Sequence, residues 1–164
     1  MNLFDRAKRK DSEAFEKLMR DELSEMYRVA YSMLRNDEDV ADAIQDTMIK
    51  CWEKIDTLKK PSFFRTWLIR ILINNCNNIL RKRKITASLE DIPDIPISDS
   101  YCEGGWKDII QCLDEKYSLV MELYYVDELQ TSEIANILGI SDDNVRKRLS
   151  RGRKQLEKIV KGTM

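Results

Sequence analysis

Two sets of side chains in this 164-residue chain have the types and spacing to hold a polynucleotide. In the first, Asn144, Lys147, Ser150 and Arg151 recur at helical spacing, flanked by Arg146, Arg148 and Arg153. Amides, hydroxyls and cations in this arrangement can reach base edges in a major groove, and the flanking guanidinium groups suit phosphates. In the second, Trp67, Arg70, Asn74, Asn78 and Arg81 also recur every three or four residues. Lys59, Lys60, Ser62 and Phe63 precede them. Amides that read bases, cations that hold phosphates and aromatic rings on which an unpaired base stacks make that set suited to single-stranded or melting DNA.

The elements that must position the first set are legible. The segment Thr131–Arg153 reads TSEIANILGISDDNVRKRLSRGR. Ala135, Gly139 and Val145 stand where two helices pack at a sharp angle: a small residue at the approach, a glycine in the turn and a plug at the interface. Ser141 can cap the second helix, with Asp142 and Asp143 in its first turn, where the helix dipole favours acids. Val145, Leu149, Gly152, Leu156 and Ile159 form its core-facing seam. Lys147, Arg151, Lys154, Lys158 and Lys161 form a second, basic stripe. The N-terminal part of such a helix meets base edges, so Asn144, Lys147, Ser150 and Arg151 are expected readers, and Arg146, Arg148 and Arg153 phosphate contacts. A charge stripe is more often only a solvated face, but the turn signature directly upstream weighs against that here.

Almost everything else reads helical, and no stretch alternates like a strand. Four helices are expected before residue 86: about Asp11–Asp21, Glu22–Arg35, Asp37–Thr57 and Phe63–Lys84. The third has a seam of Val40, Ile44, Met48, Cys51, Trp52 and Ile55, with Asp42, Gln45, Asp46, Lys50 and Glu53 opposite. The fourth has a seam of Leu68, Ile71, Leu72, Cys76, Ile79 and Leu80. Its opposite face carries the second set above, though Phe63 and Trp67 also read as core aromatics. Residues 87–106 hold two of the three prolines, two glycines and only acidic charge, and read as a linker. The expectation is therefore an all-α protein: a helical domain over 1–86, an acidic linker over 87–106 and a helix-turn-helix domain over 107–164.

Charge is distributed locally. The chain has 28 Lys and Arg against 29 Asp and Glu, for a net charge of −1, so any DNA footprint is confined to patches. Residues 1–86 carry net +4, 87–106 net −5 and 107–164 are balanced. No apolar run is long enough to span a membrane and no signal peptide is read, so a cytoplasmic protein is expected. Cys51, Cys76, Cys102 and Cys112 form no Cys-x-x-Cys pair, and histidine is absent. Reduced, mostly buried thiols are expected, with no metal site and no cofactor.

Three segments resemble one family in the right order. Asp37–Trp52, DEDVADAIQDTMIKCW, resembles the polymerase-binding helix of bacterial sigma factors. Phe64–Lys84, FRTWLIRILINNCNNILRKRK, resembles the helix that opens the −10 promoter element. Leu113–Lys158 resembles their C-terminal domain, which reads the −35 element. With no middle domain between them, the resemblance is to the extracytoplasmic-function (ECF) branch. It implies a transcription initiation factor that binds core RNA polymerase, directs it to promoters and helps melt the −10 region. By position it places Asp42, Ile44, Gln45, Asp46, Lys50 and Trp52 on the polymerase clamp. Lys59, Lys60, Ser62 and Phe63 fall in a loop that captures a flipped base, Asn74 at the −10 element, and Lys147, Ser150 and Arg151 at the −35 element. It also implies an anti-sigma factor, often membrane-anchored, that holds the protein inactive at the inner face of the membrane until a stress signal arrives. The free protein is expected to be a monomer. Met48, Asp114, Asn144 and Gly152 depart from the residues usual in the family.

Two other readings stand beside it. A conventional helix-turn-helix regulator would act as a dimer on palindromic sites without polymerase, but leaves the Trp67–Arg81 stripe without a role. An enzyme holding magnesium on Asp37, Asp39, Asp42 and Asp46 lacks any accompanying nucleophile or phosphate loop.

Overall fold

A computed structural model of the protein describes residues 1–90 and 105–162, without the side chains of 88–90. Among these residues every regular element is helical. The chain divides into two compact units, Met1–Leu80 and Arg81–Met164, and the division falls inside a helix.

The first unit is built from α1 (Leu3–Lys8), α2 (Ser12–Leu34), α3 (Asp37–Lys54) and the start of α4 (Phe64–Glu90). Each of the first three begins at a side-chain cap that satisfies an otherwise unpaired backbone N–H. Asn2 Oδ1 accepts from the N–H of Asp5 at 2.8 Å, Asp11 Oδ1 from Glu13 and Ala14, and Asn36 Oδ1 from Asp39 at 2.8 Å. Arg6 donates to Asp11, which holds that carboxyl below its usual range. α2 packs against α1 and α3. Met19, Met26, Leu34, Ile55, Leu68, Ile69, Leu72 and Ile73 are fully buried, so α4 supplies half of the largest core side chains.

Several local expectations change. The helices expected over Asp11–Asp21 and Glu22–Arg35 are one helix, because no glycine or proline interrupts the chain at that junction. It stops where Arg35 takes a left-handed conformation (φ 60°). α1 was not anticipated. In α3 the buried stripe is Val40, Ala43, Thr47 and Cys51, continued by Ile55 in the 3-10 turn that follows, while Ile44 and Met48 are only half-buried. The small residues Ala43 and Thr47, not the larger apolar ones, face the neighbouring helices. α4 runs to Glu90, through the first residues of the expected linker, since no helix breaker precedes Pro93. The rest of that linker, 91–104, lies outside the described residues.

The second unit contains α5 (Trp106–Cys112), α6 (Glu115–Met121), α7 (Thr131–Leu138) and α8 (Asp142–Gly162). A π-helical turn, Glu122–Val126, prolongs α6, closed by the Asp127 N–H on the Glu122 carbonyl at 3.1 Å. The buried Glu122 carboxylate accepts from the Trp106 indole N–H at 2.9 Å, tying α5 to that turn. α8 packs on both α6 and α7. Val145, Leu149 and Gly152 of its expected seam are buried; Leu156 and Ile159 are half-buried.

Cys51 and Cys76 are free and buried. Cys112 is disulfide-bonded, where a reduced thiol was expected. The absence of a Cys-x-x-Cys pair argues against a metal site but does not limit bonds that folding closes. Cys102 lies outside the described residues.

Gly152 lies against α6. A Cβ there would stand 2.5 Å from Met121 Sδ and 3.3 Å from Tyr117 Cβ. The thioether therefore fills the space that a methyl would take. Gly152→Val is expected to destabilise the second unit by about 1–3 kcal/mol through overpacking, read from urea unfolding.

Candidate nucleic-acid interface

In the first unit, the segment before α4 is held at both ends and open in the middle. Leu58 and Phe64 are buried, and Phe64 meets Phe4 edge-on at 6.2 Å. Between them Lys59, Lys60, Pro61, Ser62 and Phe63 are exposed, with Pro61–Phe63 forming a single 3-10 turn. Phe63 is 55% exposed, with Lys60 Nζ 5.8 Å from its ring centroid. An exposed aromatic ring with a cation above it is a stacking platform for an unpaired base.

The exposed face of α4 continues from this turn. Arg70, Asn74, Asn78 and Arg81 are exposed, and Trp67 is half-buried against Phe64, 6.1 Å between ring centroids. Trp67 is thus partly core and partly surface. Of the four clustered asparagines, Asn74 and Asn78 face solvent whereas Asn75 is buried.

α3 carries a different kind of surface. Asp42, Gln45 and Asp46 are exposed, and neither carboxylate has an ion pair among the described residues. Beside them lies an open groove of about 630 Å³ lined by Leu23, Tyr27, Ile44, Gln45, Met48 and Ile49, among others. Leu23 and Ile49 are 45% and 52% exposed, an unusual cost for large apolar side chains unless a partner covers them. The groove was not anticipated from sequence. Its signal was Ile49, a large apolar residue left outside the seam of the third helix.

The other two residues expected on the clamp are engaged with the rest of the unit, Trp52 half-buried and Lys50 exposed. Trp52 is half-buried, packed edge-on against Phe15 at 5.0 Å and covered by Lys10, whose ammonium lies 5.0 Å from the ring and donates to the Trp52 carbonyl. Lys50 donates from Nζ to Asn75 Oδ1 at 2.8 Å.

In the second unit, Gly139 takes the left-handed conformation (φ 67°) that a tight turn demands, and the Ile140 N–H closes on the Ala135 carbonyl at 3.1 Å. Ser141 Oγ accepts from the Asn144 N–H at 3.1 Å, so the expected cap forms. Val145, fully buried, plugs the junction. Lys147, Ser150 and Arg151 are exposed and make no side-chain hydrogen bond or ion pair to other described residues. The others are engaged. Arg146 pairs with Asp142 at 2.9 Å, Arg148 Nε donates to Asn144 Oδ1 at 3.2 Å, and Arg153 Nε donates to the Leu149 carbonyl at 3.3 Å.

Two surfaces of this kind, on two helical units, match one family. The sigma-70 region 2 model matches residues 18–85, and the sigma-70 region 4 model matches 106–156. The chain belongs to the sigma-70 family. Its relatives place this sigma factor in the ECF branch. It is 28% identical to the ECF RNA polymerase sigma factor SigW of Bacillus subtilis, over 92% of this chain and 91% of that protein. It is 29% identical to the RNA polymerase sigma factor SigV of the same organism, over 82% and 83%. Two solved structures share its fold. One is the sigma factor RpoE in complex with the anti-sigma factor NepR from Bartonella quintana (TM-score 0.73, 22% identity, 89% of this chain and 98% of that one). The other is CnrH in complex with the cytosolic domain of CnrY (TM-score 0.70, 24% identity, 99% and 97%). As an ECF sigma factor, the protein is a transcription initiation factor.

One clasp holds the start of α4 in place. Arg65, just after the exposed turn, donates to Glu25 of α2, and Glu22 lies beside Glu25. Burial, and then the hydrogen bond and charge of Glu25, push the Glu22 carboxyl up to about 7 from an ordinary value of 4.5. The folded state thus binds this proton more tightly than the unfolded chain. The cost of ionising Glu22 is absent below pH 4.5, grows as the pH rises to about 7, and is complete above that. Glu22→Gln is expected to raise stability relative to the parent above about pH 7, with the gain vanishing below about pH 4.5, as read by thermal melts across that range.

Proposed function

We propose that the first unit joins core polymerase to the melted strand, and that the second fixes the complex on the upstream element. The observation that carries this reading is the pair of surfaces on one small unit. α3 presents an apolar groove flanked by unpaired carboxylates, and α4 with its preceding turn presents amides, cations and an exposed ring. The first surface suits a protein and the second a nucleic acid, so a regulator acting without polymerase leaves the first unexplained.

In this reading Asp42, Ile44, Gln45 and Asp46 seat the polymerase clamp, and Met48 and Ile49 extend the contact. Phe63, supported by Lys59, Lys60 and Ser62, stacks on a base that leaves the duplex. Capture outside the stack offsets part of the cost of unpairing. Asn74, Arg70, Asn78 and Arg81 follow the −10 strand, with Trp67 at the edge of the core. Lys147, Ser150 and Arg151 read the −35 element, while Asn144, Arg146, Arg148 and Arg153 orient the helix or hold phosphates. Residues 1–86 and 107–164 act as the two binding domains, joined through 87–106. Two modest contacts at fixed separation then act as one strong contact through effective concentration. The sigma factor itself makes and breaks no bond.

Control comes from an anti-sigma factor that covers these surfaces. One structural neighbour, RpoE, was solved in complex with the anti-sigma factor NepR, and the other, CnrH, in complex with the cytosolic domain of CnrY. No helix among the described residues is long and apolar enough to cross a membrane. Free of both partners, the protein is a cytoplasmic monomer.

In vitro transcription with purified core polymerase tests the reading. New starts that depend on the protein are expected, and binding of a dimer to palindromic duplexes without starts would point to an ordinary regulator. Phe63→Ala is expected to slow promoter opening about 5- to 150-fold, the worth of one base–aromatic stack of about 1–3 kcal/mol. The loss should largely disappear on templates already mismatched over the −10 region. Asp46→Lys is expected to weaken core binding by at least about tenfold, since it sets like charges against each other at a docking face.

A further inference from the structure

Asn75 is 5% exposed on the core-facing side of α4. An asparagine there carries a poor helix propensity and a desolvation cost unless its amide is fully partnered. Both ends are partnered, by the same helix. Asn75 Oδ1 accepts from Lys50 Nζ at 2.8 Å, and Asn75 Nδ2 donates to Thr47 Oγ1 at 2.9 Å. Thr47, fully buried, donates in turn to the Ala43 carbonyl at 2.7 Å.

Thr47 and Lys50 lie one turn apart on α3, so the amide is gripped at two points along that helix. Leu72 and Ile73, buried on the same helix, offer only apolar, non-directional packing. They tolerate small rotations of α4 that directional hydrogen bonds resist. A rotation of about 20° moves a side-chain tip roughly 2 Å at a helix radius of about 5–6 Å. That is enough to break a hydrogen bond made by Asn74, the neighbouring residue, or by Asn78 one turn on.

Lys50 has a second effect. It stands four residues after Asp46, where an ion pair along the helix is the usual outcome. Its ammonium goes to Asn75 instead, and Asp46 keeps an unneutralised charge on the α3 face.

We propose that Asn75 is a positioning residue for promoter reading, gripped by Thr47 and Lys50 so that the polymerase-facing side of α3 and the strand-facing side of α4 are held in one register. This rests on the function proposed above. Lys50 on this account serves the interface from behind, by placing α4, rather than by touching polymerase.

The test uses the full chain and three variants: Asn75→Leu, Lys50→Met and the two together. Replacing both partners of the Lys50–Asn75 bond with apolar groups is close to neutral for folding, and Thr47, which loses the Asn75 donor, keeps its own bond to the Ala43 carbonyl. The double variant is therefore expected to melt near the parent temperature and to bind core polymerase with an affinity within about threefold of the parent. At saturating polymerase it should open duplex promoters about tenfold more slowly, the worth of one well-placed hydrogen bond. It should also lose a similar factor of discrimination between a preferred and a base-substituted −10 element. Parental opening and discrimination by the folded double variant would overturn the proposal, leaving Asn75 a core filler. Lys50→Met changes an exposed residue and carries the test if the buried substitution unfolds the chain. Slower opening at saturating polymerase supports positioning. Weaker core binding with normal opening at saturation overturns it and returns Lys50 to a direct contact. The parent protein is the control: if it drives no polymerase-dependent starts, it is the function reading that fails.

Discussion

The burial of α4 constrains everything else in the first unit. Phe64, Leu68, Ile69, Leu72, Ile73, Asn75 and Cys76 all lie within the core, so the helix is enclosed over most of its circumference across its first four turns. Each large apolar side chain contributes about 1.5–3 kcal/mol relative to exposure, an upper figure because the unfolded chain is partly collapsed. What such a helix leaves to solvent is a narrow strip, Arg70, Asn74 and Asn78. A narrow polar strip of this kind suits the thin, extended partner proposed for it, a single strand. The same enclosure anchors the turn before it: Phe64 is fixed, so Phe63 must point away.

α3 solves a different problem. Its inward stripe is made of small side chains, Ala43 and Thr47 among them, which allows its neighbours close approach and leaves Ile44, Met48 and Ile49 toward the rim. Apolar surface displaced from the core to an edge is costly to a solitary protein and useful to one that spends its working life in a complex. Asp42 and Asp46, exposed and without an ion pair among the described residues, add negative charge beside that edge.

The sequence announced much of this through periodicity and turn chemistry. Gly139, Ser141 and Val145 specify their junction by conformational needs that few other residues meet, and the structure shows each in its expected place. The α4 stripe was readable for the same reason, since its polar members recur at helical spacing. What escaped depends on contacts between segments distant in the chain. Ala43 and Thr47 carry no hydrophobic signal strong enough to outweigh Ile44 and Met48. Four clustered asparagines look alike until Thr47 and Lys50, some 25 to 28 positions earlier, select Asn75 for the interior. Trp52, expected both in the seam of its helix and at the clamp, is half-buried with Phe15 and Lys10 against it. The start and end of the long helices followed local rules; their single-helix continuity through 21 and 22 was lost because an acidic pair resembles a helix start.

Cys51 adds one property of a different kind. Its side chain is fully enclosed at the inward stripe of α3, and burial pushes the thiol up to about 12. The thiolate, the form that reacts, is therefore almost absent while the helices stay packed. An oxidant or alkylating reagent reaches this sulfur only in the fraction of molecules whose first unit has opened. The residue is thus a clock for breathing of the core, and under oxidative conditions the folded first unit shields this thiol from modification.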